Sequence, residues 1–166
     1  LSNIAIELAR RDIVAITIDP YAQGGSSSSM SRMAATTEGY GMFAVVGYAA
    51  STSNLNYIDK SRIGATGHSA GGNAAIRGAN FFGKEAQRSG NPSKLHSVFV
   101  SGYVLTLTDK VLGDVRSNVG MSYAFYDEGA YRNELKIADM RRAPEALRLV
   151  NSARGSGQPH IDEVIL

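Results

Sequence analysis

The chain has no cysteine, which excludes a disulfide framework, a thiolate metal site and a cysteine nucleophile. It lacks a long apolar run: the longest, residues 42–50, is too short to cross a bilayer and suits a core helix. It lacks a charge of one sign, with 17 basic against 15 acidic residues and a net charge of +2. No nucleic-acid footprint follows from that balance. The basic residues from Arg132 to Arg154 read as a solvated helical face. Neither G-x-G-x-x-G nor G-x-x-x-x-G-K-S/T occurs, which argues against a nucleotide-binding loop.

What remains is 166 residues, 43% of them hydrophobic, enough for one domain with a real core. Residues 1–10 carry Ile4, Ala5, Leu8 and Ala9 at helical spacing. Residues 13–18 form a β-branched apolar run closed by Asp19-Pro20, the pattern of a strand buried on both faces. A Gly- and Ser-rich loop follows over 23–29, then a helix over 38–50 weakened by Gly39, Gly41 and Gly47. Residues 61–66 read as a short buried strand, 70–87 as a helix ended by Gly90-Asn91-Pro92, and 96–101 and 119–126 as strands. Pro144 opens a last helix, stopped by Gly155. The chain opens inside one element and closes within an apparent strand, 162–166, and so reads as a piece of a longer protein.

Strands alternating with helices predict an α/β fold with a parallel sheet covered on both faces. Ligands of such sheets bind beyond the carboxyl ends of the strands. Gly67-His68-Ser69-Ala70-Gly71, followed by Gly72, falls at such an end. It matches G-x-S-x-G, in which a serine occupies a strained strand-to-helix turn and small residues stand two positions before and after it. A Gly/Ser turn without chemistry is the alternative, and the flanking strand and helix weigh against it.

These pieces resemble the α/β-hydrolase family, in family order and over most of the chain. Residues 11–19 resemble its fourth strand, with Asp19, Gly24-Gly25 and Ser26 as the usual sequel. Tyr57-Ile58-Asp59-Lys60-Ser61-Arg62-Ile63-Gly64 resembles the lead-in to its fifth strand, and 67–72 the elbow of esterases and dienelactone-hydrolase-like enzymes. The resemblance implies a partial α/β-hydrolase domain over 1–166, whose first strands would precede Leu1 and whose end would follow Leu166.

It also implies a serine hydrolase, with Ser69 the nucleophile and the Ala70 N–H an oxyanion donor. The acid would be Asp127, with Glu128 and Asp109 as rivals and a turn aspartate as the bland alternative. In the family's Ser–acid–His order the base is His160, or a histidine beyond Leu166. His96 precedes the acid and His68 sits within the elbow, where packing is expected. The second oxyanion donor would come from a loop before Leu1. The implied substrate is a small-molecule carboxylic ester, with no cofactor and no metal. The short stretch between Gly102 and Val119 leaves no room for a large lid, which suggests an open site. Tyr126 and Tyr131 are candidates for an acyl pocket, Tyr123 for that pocket or the core, and 26–29 for the site mouth or a plain polar loop. A catalytically silent binding module on the same fold is the rival reading.

Overall fold

Residues 2–9 coil because Ile4, Ala5 and Leu8 line one stripe, giving α1 (Ser2–Ala9). The helix closes when Asp12 takes a left-handed φ of 59°, with the Asp12 and Ile13 N–H groups donating to Ala9 and Leu8 carbonyls. The computed structural model describes residues 2–27, 30–31, 39–102, 113–123, 151 and 161–165. The further elements in chain order are α2 (Tyr40–Ser51), a 3-10 turn (Ser53–Leu55), β1 (Gly64–His68), α3 (Ala70–Ser89), β2 (Ser97–Ser101), β3 (Asn118–Tyr123) and β4 (Ile161–Ile165).

The four strands form one sheet in the order β1-β2-β3-β4, and every pairing is parallel. The expected α/β class with a parallel sheet is therefore present. Register aligns Ala65, Val98, Val119 and Ile161 across the sheet, and His68, Ser101 and Ser122 near the carboxyl edge.

α3 lies on one face of this sheet. Its Ala75, Ile76, Ala79 and Phe82 bury against Val98, Val100, Val119 and Met121, with Leu95 and Val115 closing the amino end of the core. α2 packs against α3, and its Val46 joins the same buried core. A Cβ at Gly78 would stand 2.8 Å from Met42 Cγ, so the missing side chain lets the helices approach. The opposite face carries Thr66, Ser97 and Phe99, all exposed. Among the described residues no helix covers it, so the expected covering on both faces is seen on one. None of the described helices is long and apolar enough to cross a membrane.

Two expectations need correction. Residues 13–18 form no strand, and Ile13, Val14 and Ile16 are 48%, 47% and 45% exposed. A β-branched run becomes a strand only beside another strand, and no ladder of the sheet reaches it. β1 begins at Gly64 rather than near residue 61, and it is not buried: Gly64, Thr66 and His68 are exposed, while Ala65 and Gly67 are half-buried. Its late start has a local cause. The Asp59 carboxylate accepts hydrogen bonds from the Ser61 N–H at 2.9 Å, the Ser61 hydroxyl at 2.6 Å and Arg62 Nε at 2.6 Å, closing a turn that competes with the ladder. The helix expected after Pro144 lies outside the described residues apart from helical Asn151.

Candidate active site

Ser69 links β1 to α3, and the backbone there is forced. Ser69 has φ 52° and ψ −118°, outside the left-handed helical well as well as the ordinary regions. Such a conformation costs on the order of 1–3 kcal/mol and persists only where its surroundings hold it. Gly67 is one part of that hold. A Cβ at Gly67 would sit 2.2 Å from the carbonyl carbon and oxygen of Gly71, so the first turn of α3 folds directly over the strand. Gly71 differs: a Cβ there would meet nothing within 4 Å among the described residues. Of the two glycines expected to be necessary, only Gly67 is required by a contact.

The carboxyl end of β2 provides the second hold. The Ser69 N–H donates to the Ser101 carbonyl at 2.9 Å, and the Ser69 carbonyl accepts from the Asn73 N–H at 3.1 Å as α3 begins. Ser69 thus occupies the N-cap of α3, where a serine side chain ordinarily bonds a first-turn N–H. Here the hydroxyl makes no capping bond. Ser69 and Ala70 are both exposed, and the first turn of α3 carries no acidic residue. Within that turn no carboxylate offsets the positive end of the helix dipole and the first N–H groups of α3. This arrangement favours negative charge next to the hydroxyl.

His68 reaches sideways rather than into the core. Its Nδ1 lies 3.0 Å from Ser101 Oγ, across the His68–Ser101 register pair. Its ring rests over Gly102, where φ is +58° and a Cβ would stand 2.7 Å from His68 Cε1. His68 is exposed rather than packed in the core, and its ring lies against the end of β2. His96 belongs to the other end of the sheet: its N–H donates to the Ile63 carbonyl and its carbonyl accepts from the Asn118 N–H. Ser101 lies five residues further along the chain, about 16 Å away at the usual rise per strand residue. His96 Nδ1 is buried without a hydrogen-bond partner among the described residues.

Asp127, Glu128, Asp109 and His160 lie outside the described residues, as do Tyr126 and Tyr131. Their neighbours in the sheet are described. β3 runs parallel to β1, so the chain passes Ser122 at the carboxyl edge, two strand spacings from His68, or about 10 Å. β4 begins with Ile161 opposite Val119, at the amino end of the sheet, and reaches Ile165 opposite Tyr123 at the carboxyl end. Ser101 and Gly102 were not singled out from the sequence. A Ser-Gly pair closing a strand was the only signal for them. Comparison of the chain with protein-family models, curated proteins and solved structures gave no match.

Proposed function

We propose that this chain carries the nucleophile of a serine hydrolase that cleaves small carboxylic esters through an acyl-enzyme on Ser69. The observation behind the proposal is the elbow itself: an exposed serine at a helix N-cap, held at φ 52° and ψ −118°, whose hydroxyl does not cap the helix. A fold that needed only a turn here would use glycine, and one that needed a cap would turn the hydroxyl inward. The resemblance of residues 11–19 and 57–72 to α/β-hydrolases supports the same reading.

In this reading Ser69 Oγ adds to the ester carbonyl carbon as its proton passes to a base. The carbonyl π pair moves onto oxygen, and the Ala70 N–H donates to that oxyanion beside the positive end of α3. Collapse expels the alcohol, which takes the proton from the base. Water repeats the sequence on the acyl-enzyme and frees the acid. Asp127 is the proposed orienting carboxylate, because β3 carries the chain to the edge where Ser69 stands. For the base, His160 immediately precedes the amino end of β4, whereas the carboxyl end of β4 is level with the elbow. The topology therefore favours a histidine following β4 over His160. The proposed site also calls for a second oxyanion donor, since one such donor is worth about 10²- to 10³-fold in rate.

The test is labelling of the intact protein by a fluorophosphonate, with Ser69→Ala beside it. The expected result is labelling of the native protein and none of the variant, because the probe requires an activated hydroxyl. A folded native protein that takes up no probe removes the hydrolase reading. The catalytically silent module then stands, a reading favoured by one observation: His68 is tied to Ser101 and His96 lies at the opposite edge.

A further inference from the structure

Ser101 holds two consecutive residues of the elbow at once. Its carbonyl accepts from the Ser69 N–H at 2.9 Å, and its hydroxyl lies 3.0 Å from His68 Nδ1. The second contact depends on Gly102. A side chain there would occupy the place of the imidazole, 2.7 Å from Cε1 and 3.1 Å from Nδ1, and φ +58° favours glycine independently. Gly102 is itself fixed, its N–H donating to the Ser122 carbonyl at 2.8 Å. The carboxyl ends of β1, β2 and β3 are thereby stitched in sequence, and the strained serine is the end of the stitch.

From this geometry we infer that His68 and Ser101 form a positioning pair for the nucleophile, seated on Gly102. The inference rests on the hydrolase reading of Ser69 and goes beyond it by giving His68 a role other than base. The backbone bond from Ser69 to Ser101 fixes the height of the turn but leaves rotation about it. The His68–Ser101 contact, on the face that no described helix covers, is the second point that stops β1 from twisting away and letting the serine relax toward an ordinary φ. A serine hydroxyl can donate to a neutral Nδ1 or accept from a protonated one, so the pair survives protonation of the ring. A base would not.

The experiment is fluorophosphonate labelling of the intact protein, separating the maximal rate constant from the half-saturating probe concentration across pH. The variants are Ser101→Ala, His68→Leu, their double, and His68→Asn, whose amide can reach the place of Nδ1. Ser101→Ala and His68→Leu are expected to lower the maximal rate by about tenfold or more, since small misplacements of a reacting atom cost up to about a hundredfold. Half-saturation and the shape of the pH profile stay as in the native protein. The double variant is no slower than the slower single, the signature of one shared interaction, and His68→Asn labels within about threefold of native.

Native rates in both single variants would overturn the inference, as would losses that multiply in the double. Loss of labelling in His68→Asn would also overturn it, by making His68 the base. If His68→Leu does not fold, Ser101→Ala against Ser101→Thr decides: the threonine keeps the hydroxyl and is expected to keep the rate, and equal loss in both overturns the pair. Native protein that takes up no probe removes the hydrolase reading and this inference together. Native labelling with unaffected variants removes this inference alone.

Discussion

Gly67 and Gly71 flank Ser69 symmetrically in the sequence but not in space. Gly67→Ala pushes a methyl group into the backbone of Gly71 at 2.2 Å, where nothing flexible can yield. It is expected to destabilise the protein by more than about 3 kcal/mol, as severe overpacking does. Gly71→Ala meets nothing within 4 Å among the described residues and replaces glycine in a helix, so urea unfolding should show it neutral or more stable by up to about 1 kcal/mol. Equal losses for the two would contradict the contact. Ser69→Gly relieves roughly 1–3 kcal/mol of backbone strain against a loss of roughly 0.4–1 kcal/mol from a freer unfolded chain. A net gain of about 1 kcal/mol with complete loss of fluorophosphonate labelling is the expected outcome. A less stable Ser69→Gly would mean that the serine is not strained. The elbow was legible in the sequence because a tight turn is decided by a few adjacent residues. The asymmetry of its two glycines was not, since it depends on how the first turn of α3 folds back over β1.

At the scale of elements, helices were easier to read than strands. α3 was expected to end near residue 87 and ends at Ser89, because Gly90 adopts φ +71° and closes it with an N–H bond to the Ala86 carbonyl. β1 was placed too early because the Asp59 turn was not seen behind the apolar Ile63. That turn also makes a pH prediction. Hydrogen bonds from the Ser61 hydroxyl, the Ser61 N–H and Arg62 hold the Asp59 carboxyl down to about 2 from an ordinary 3.8. A group depressed on folding stabilises the folded state above its unfolded pKa, and that contribution disappears as pH falls through the folded value. Urea midpoints of the native protein and Asp59→Asn should therefore differ by a constant amount above about pH 4 and converge toward about pH 2. Asp59 is exposed, so the difference is expected to be small and to shrink with salt. A gap that persists at pH 2 would locate the effect in something other than the carboxylate.

For the whole molecule, the sequence pattern predicted a strand where the structure has none. Residues 13–18 have the composition of a strand buried on both sides, and among the described residues no strand pairs with the outer edge of β1. Composition reports what a segment would bury if neighbours were present; it does not supply the neighbours. The same reason left the proposed acid, Asp127, and the base open, since which groups another strand brings to Ser69 depends on the path of the chain between distant strands. Hydrogen exchange separates the two accounts of residues 13–18. Ile13 donates to Leu8, but no described residue accepts a backbone hydrogen bond from residues 14–18. Val98 and Val100 sit instead in a central strand with ladders on both sides and are fully or nearly fully buried. Amides of 14–18 should exchange at close to unprotected rates, while those of 98–100 open only with global unfolding. Equal protection of the two segments would show that 13–18 is laddered in solution and that the sheet has at least one strand more than the four described.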